Sequence, residues 1–455
     1  MKARNITTIL LGLIVLSIYL SSCGVDRWKA YSEQTATNEW IEDTMRVYYY
    51  WEDELPVSNK LNYFEEPFSF FKKLLNKDDK YSSIDSLKSY TTRAIPRTEY
   101  SYGFQFVAYK VQGNDNSLLI HVLYVADNSP ASEIGLKRGD WILQMNGADI
   151  TEANYLQLLG AGTMSVTLGY YDAERNAVVT AGEVKQLPAA RAINDDPVYY
   201  SNIYEMGDKR IGYLVYNHFS AGRNASPTEY NDHLIETFLQ FAQADVNEFI
   251  LDLRYNNGGL VTCATLLCDL LAPNTIFGTQ LGYLEYNSNF NPQTYSFTFG
   301  NSLRNKNANI NLNRLYVLTS RYTASASEMV INCLKPHMDV VLIGSTTEGK
   351  NVGSTTFTNQ ERLITMSPII CKIYNAEGKS NYSNGFNADI NIEEAEDLAG
   401  FLPFGDTNES MLSTALNCIM NGKYTSKESS TRSTNAHYPI YSSIKQDADN
   451  GVIIP

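Results

Sequence analysis

Phe249-Ile-Leu-Asp-Leu-Arg254 runs into Tyr255-Asn256-Asn257-Gly258-Gly259 and then into the apolar stretch Leu260 to Leu271. A mostly apolar run of strand length, a turn of asparagines and glycines, and an apolar run of helix length predict strand, turn and helix in that order. The unit recurs downstream, where Leu315-Tyr-Val-Leu-Thr319 leads through Ser320 to Thr323 into a helix expected at about Ala324 to Leu334. Val340-Val-Leu-Ile343 adds another strand and opens onto the polar, Gly-rich loop Gly344 to Gly353. On the N-terminal side Ile211-Gly-Tyr-Leu-Val-Tyr216 alternates like a strand, and Thr228 to Ala244 carries helical spacing. Alternating strands and helices predict an α/β core, with Asp406 to Met420 as its last helix.

At 455 residues the chain exceeds what one hydrophobic core usually supports, so an α/β (α+β) multidomain architecture is expected. From Ser101 to about Gln186 short alternating strands, with Gly103, Gly135, Gly139 and Gly147 at the turns and a helical stretch near Glu152 to Leu159, predict a compact β module. From Trp28 to about Ser89 the residues Trp40, Ile41, Thr44, Met45, Tyr48 and Trp51 recur at three and four, and Pro67 sits at a helix start, which predicts a small helical domain. Lys2 and Arg4 precede an apolar run, Ile9 to Leu20, that is too short to span a bilayer comfortably at about 1.5 Å per residue and reads as an export signal. Leu20-Ser21-Ser22-Cys23 resembles a bacterial lipobox, which makes Cys23 the lipid-bearing first residue of the mature chain. Tyr424 to Tyr438, rich in Ser, Thr, Lys and Asn, reads as linker or tail. The expected boundaries are a signal peptide over 1–22, a helical domain over 23–95, the β module over 100–187, the core over 195–424 and a polar tail over 425–455.

The composition is 44% hydrophobic and 12% aromatic, as in a globular protein, and the net charge of -14 offers nothing basic for nucleic acid. Beyond Cys23 the five cysteines are odd in number, so no disulfide framework follows, and Cys263 and Cys268 fall in an apolar helical run suited to buried thiols. The five histidines are scattered without ligand spacing, so neither metal nor cofactor is expected.

Two sites could carry chemistry. Thr323-Ala324-Ser325-Ala326-Ser327-Glu328 opens a helix just beyond a strand, where the helix dipole favours developing negative charge. Taken alone, Ser325 and Glu328 also match the Ser-x-x-Glu capping box of ordinary helices. Glu348-Gly349-Lys350-Asn351-Val352-Gly353 follows a buried strand, with Lys350 25 positions beyond Ser325. A lysine acting as base at neutral pH must lose its proton, which asks for a fall of roughly 3 units from about 10.4 through desolvation and neighbouring charge. Asn256-Asn257-Gly258-Gly259 is a third element, a turn whose backbone N–H groups can face a substrate carbonyl, or else a plain strand-to-helix connection.

Asp252-Leu-Arg-Tyr-Asn-Asn-Gly-Gly259, Thr323-Ala-Ser-Ala-Ser-Glu328 and Gly349-Lys350 together resemble the signatures of the C-terminal processing, or tail-specific, serine peptidases. Tyr102-Gly103-Phe104-Gln105-Phe106 and the block Asn128 to Gly147 look like a PDZ domain in that family's usual place. The resemblance implies a crotonase-like α/β peptidase core with Ser325 as nucleophile and Lys350 as base. It further implies an oxyanion hole from the N–H of Ala326 and of Gly258 or Gly259, Gly258 being favoured. It also implies that the loop holding Gly103 captures a terminal carboxylate while Phe104 and Phe106 line the side-chain pocket. Many relatives place a Gln four residues after the lysine; here Ser354 stands there as a possible third member. His218 follows a strand, but no acidic residue at a telling position supports a Ser/His pair. The expected partners are protein or peptide substrates with free C-termini, and the expected location is the cell envelope, anchored through Cys23 and facing the periplasm or exterior. The alternative is a non-catalytic PDZ-containing lipoprotein that binds peptides on the same fold.

Overall fold

Local sequence pattern sets where elements begin. The computed structural model describes residues 28–87, 100–111, 114–160, 162–223, 226–290, 295–300, 303, 307–422 and 439–444. The expected signal peptide, Cys23 and the segment Tyr424 to Tyr438 lie outside them. The described residues of Met1–Val47 and Asp53–Asn76 make one compact unit, and those of Tyr48–Glu52 and Lys77–Pro455 another.

In the first unit the helix Trp28–Tyr48 buries Thr35, Asn38, Ile41, Glu42 and Met45, the stripe that a period of 3.6 places on one face. A second helix, Pro67–Leu74, starts where the Glu66 carboxylate accepts the Ser69 N–H at 2.9 Å, with Pro67 in the first turn where its missing N–H costs nothing. The helical domain expected to reach residue 95 stops short of it. Ser83–Ser86 is a strand paired antiparallel with Ile364–Ser367 in the second unit, being too short and too polar to bury a helical stripe.

The core of the second unit is a six-stranded sheet in the order Ile390–Asn391, Asp339–Gly344, Arg314–Thr319, Glu248–Asp252, Lys209–Tyr216, Val198–Met206. All neighbours run parallel except the last pair, so the mixed sheet is buried on both faces. Phe249 and Leu251 pack with the helices Glu229–Gln243, Val261–Leu271 and Ala326–Leu334, while Ile250 packs with Ser410–Asn421 on the other side. Because Asp252 pairs with Leu318 and Thr319 with Gly344, three parallel strands end level. The loops that follow them therefore emerge at one edge, the place where open α/β sheets bind ligands.

The β module has its own core around Phe106, Ile120, Ile142, Leu158 and Val166, and the helical stretch expected near Glu152 is only the short 3-10 turn Tyr155–Leu159. Its sheet runs Pro439–Ser442, Phe104–Val111, Asn114–Val125, Trp141–Met145, Met164–Asp172, Ala177–Leu187. The first of those strands corrects the expectation of a free polar tail over 425–455. Residues 439–442 satisfy their backbone groups on the edge of Phe104–Val111, and Ile444 is fully buried.

Candidate active site

Ser325 immediately precedes the helix Ala326–Leu334 and holds φ 59°, ψ -113°, a conformation that side chains with a Cβ rarely adopt. Such strain persists only where the surroundings enforce it, and it gathers at functional sites. Half of the expected capping box exists, since Glu328 Oε2 accepts the Ser325 N–H at 3.0 Å. In the other half the Ser325 side chain faces the Glu328 N–H as a box would have it but closes no cap hydrogen bond, and the buried Oγ has no hydrogen-bond partner among the described residues. A hydroxyl withdrawn from water and left without a partner is costly, which sets it apart from a cap.

Glu328 is the organising group that the sequence revealed only as a cap partner. Its Oε2 also accepts the Lys350 N–H at 2.8 Å, while Oε1 accepts Thr347 Oγ1 at 2.6 Å and Gly349 N–H at 2.7 Å. One carboxylate thus ties the backbone of the serine to that of the lysine loop. Burial pushes its pKa up, to about 7, against the four donors that favour the anion. Lys350 is buried, and its Nζ lies 5.2 Å from the centroid of Tyr81, a residue expected in the helical domain but folded here against the site. No hydrogen bond joins Ser325 Oγ to Lys350. Ser354 lies buried on the short strand Val352–Ser354. A cavity of about 590 Å³ runs beside the lysine loop, lined in part by Tyr50, Trp51, Tyr81, Asn351 and Lys372.

The Asn-Gly turn closes the other side. A Cβ on Gly258, at φ 110°, would stand 2.7 Å from Ser325 Cβ and 3.1 Å from Ala326 N, so only glycine permits this approach. Gly258 N–H donates to Asn256 Oδ1 at 2.9 Å, and Asn256 in turn donates to Tyr216 O and accepts Ser327 Oγ on its own carbonyl. The Gly258 N–H, the donor favoured from the resemblance, is thus already engaged in this structure. Gly259 bridges Phe219 through the groups of its neighbours, Gly258 O and Leu260 N, which turns its own N–H away from Phe219.

Beneath the turn Arg254 is fully buried and donates from Nε to Asp252 at 3.0 Å and from Nη1 to Glu394 and Glu409, each at 2.7 Å. Arg138 of the β module joins the same cluster, donating to Glu394 at 2.5 Å and to the Tyr255 hydroxyl at 2.9 Å. Burial alone would raise Glu394, but Arg138 and then Arg254 outweigh it and hold the carboxyl at about 2. The Asp-Leu-Arg part of the motif thus holds the turn in place.

His218 does have an acidic neighbour, which sequence spacing did not reveal. Its Nε2 is 3.0 Å from Asp195 O and 3.6 Å from the Asp195 carboxylate, while Nδ1 faces Ser220 Oγ. In the β module the Gly103 N–H is taken up by Ser101 Oγ at 2.9 Å, so in this structure it does not present a free donor to a carboxylate. Phe104 and Phe106 are both buried in the module core, and Phe106 also meets the ring of Tyr441.

A solved Bacteroides fragilis protein assigned to the S41 proteases is 39% identical, with a TM-score of 0.76 over 85% of this chain and 98% of its own. The chain belongs to peptidase family S41. The profile of that family matches residues 210–392, and that of the peptidase S41 N-terminal domain matches residues 36–83. The S41 stretch contains Gly258, Ser325, Glu328 and Lys350 together. Among curated proteins, a carboxyl-terminal-processing protease of Picosynechococcus is 26% identical over 287 residues, covering 62% of either chain. Carboxy-terminal processing protease CtpA of Bacillus subtilis is 23% identical over 317 residues, 70% of this chain and 61% of its own. The matched stretch thus spans less than two thirds of the length of these curated relatives.

Proposed function

We propose that the chain is a serine endopeptidase in which neutral Lys350 takes the proton of Ser325 as Oγ attacks a scissile carbonyl. The observation that carries this reading is the buried, unpartnered Ser325 Oγ on a strained backbone at a helix N-terminus, sharing the Glu328 carboxylate with Lys350. The tetrahedral oxyanion is held by the Ala326 N–H together with the N–H of Gly259 or, after a small rotation of Asn256, of Gly258. Lys350 then passes its proton to the leaving amine, and a water deprotonated by Lys350 hydrolyses the acyl-enzyme. Glu328 does not touch substrate; it keeps the two loops at working distance. Ser354 is left as a possible polar neighbour of the lysine, and the core is read as crotonase-like.

We read residues 100–187 as a PDZ domain that recruits substrate, which the adjoining buried Arg138 couples to the catalytic turn. By analogy with relatives called carboxyl-terminal-processing proteases, the substrates are exported proteins cut near their C-termini. Lipid on Cys23 would place the enzyme at the cell envelope.

The test is to incubate the chain lacking residues 1–22 with an unfolded protein bearing an apolar C-terminus and follow fragments by mass spectrometry. Cleavage by the parent chain, lost in both Ser325→Ala and Lys350→Ala, is the expected result. Full cleavage by Lys350→Ala would remove the lysine from its role and turn attention to His218. Binding without cleavage by the parent chain would favour the non-catalytic peptide-binding protein.

A further inference from the structure

The segment Pro439–Ile444 lies on the edge strand that, on the reading above, recruits substrate. It runs antiparallel to Phe104–Val111, with Val107 opposite Ser442, Ala108 opposite Tyr441 and Tyr109 opposite Pro439. Ser443 Oγ accepts the Phe106 N–H at 2.9 Å and donates to Gln105 Oε1 at 2.5 Å, extending the pairing by one residue. The Tyr441 ring is seated between Phe106, 5.7 Å away, and Tyr155 of the 3-10 turn, 4.7 Å away. Main-chain pairing plus a pocket for an alternate side chain is how an extended peptide adds to a sheet edge.

The segment then leaves the edge without reaching Gly103. Ile444 turns inward, is fully buried, and its carbonyl accepts Asn257 Nδ2 at 3.0 Å. Asn257 adjoins Gly258, the residue against which Ser325 packs. The docked segment is internal to the chain, with residues 445–455 following Ile444. The Gly103 N–H that would receive a terminal carboxylate is bonded to Ser101 Oγ.

We propose that this edge is a docking site for internal extended segments, that its resident ligand is the chain's own Pro439–Ile444, and that substrates bind by displacing it. The site takes an aromatic residue in the Phe106/Tyr155 pocket and an aliphatic residue three positions later beside Asn257, with no requirement for a free C-terminus. A ligand on the same chain has an effective concentration on the order of millimolar. Against a peptide of about 100 μM intrinsic affinity, an equally good resident segment would weaken binding by roughly tenfold.

The inference rests on the reading of the module as the recruiting part, and it is tested without hydrolysis, on full chains carrying Ser325→Ala. A fluorescent peptide copying Tyr438–Lys445, acetylated and amidated, is titrated by anisotropy into this chain and into its Tyr441→Ala derivative. Binding about tenfold tighter to the derivative, and lost when the peptide itself carries alanine for its tyrosine, is expected. Equal binding to both chains, or binding only of a peptide with a free carboxylate, overturns the proposal. A Val107→Cys, Ser442→Cys pair guards against a poorly folded Tyr441→Ala chain, because directly opposed strand residues lie close enough to bridge. Oxidation should abolish peptide binding and reduction restore it; indifference to the redox state overturns the proposal. Since no cleavage is read, either failure leaves the Ser325/Lys350 assignment standing.

Discussion

Replacing Ser325 by alanine separates two roles of the same hydroxyl by the sign of the stability change. If Oγ capped the helix Ala326–Leu334, its loss would destabilise the protein by about 0.5–2 kcal/mol, as cap removal does elsewhere. In this structure Oγ is buried and unbonded, so removing it relieves a desolvation cost on the order of 1 kcal/mol and sacrifices no interaction. The strain at φ 59° is common to serine and alanine, both of which carry a Cβ, and cancels in the comparison. Ser325→Ala is therefore expected to be as stable as the parent, or about 1 kcal/mol more so, while losing peptidase activity to background. Thermal unfolding reads this as an unchanged midpoint or a rise of about 2 °C, given roughly 2–4 °C per kcal/mol for domains of 150–250 residues. A fall of 2 °C or more, with cleavage of an unfolded substrate retained, would refute the reasoning and return Ser325 to a structural cap.

Glu328→Gln keeps one acceptor oxygen but turns an amide toward two of the four donors that the carboxylate holds, so the serine and lysine loops separate slightly. With charge-assisted bonds at about 1.5–3 kcal/mol each, a fall in kcat on the order of a hundredfold with little change in KM is expected in steady-state kinetics. An unaltered kcat would dismiss Glu328 as a positioning residue. For Glu394, a folded pKa of about 2 lies below the usual 4.5, so its stabilisation is complete above about pH 4.5 and is lost as pH falls toward 2. The loss amounts to about 3 kcal/mol at 1.36 kcal/mol per unit. Urea midpoints measured from pH 7 to pH 3 should fall less steeply in Glu394→Gln than in the parent, from a lower starting value; parallel curves would contradict the ionic cluster.

Much of the core was legible because its signals are local. Apolar runs of strand length and of helical period place Glu248–Asp252, Val261–Leu271 and Ala326–Leu334 within two residues of their expected limits. Ser325 and Lys350 are singled out by the resemblance to the C-terminal processing peptidases, and their loops share one carboxylate. The expectation for Ser83 to Ser86 failed because a four-residue strand carries almost no period, and its partner, Ile364–Ser367, lies far away in sequence. The polar tail misled for a different cause. Pro439–Ser442 is held by main-chain hydrogen bonds that any side chains permit, so composition alone could not reveal it.

By itself the sequence determined the order of strands and helices and the glycine turn that precedes the helix Val261–Leu271, with a serine and a lysine standing in the loops after two strands. Those features depend on hydrophobic period, backbone freedom and chemical type, all properties of neighbouring residues. Only the tertiary structure decided that Ser325 Oγ is left without a partner and that Glu328 binds both loops. The same holds for the Gly258 N–H, already engaged, and for the chain's own C-terminal segment lying on the module edge. Each of these is a matter of which distant groups meet, set by the parallel register of the sheet and by the satisfaction of buried donors and acceptors, which no local pattern encodes.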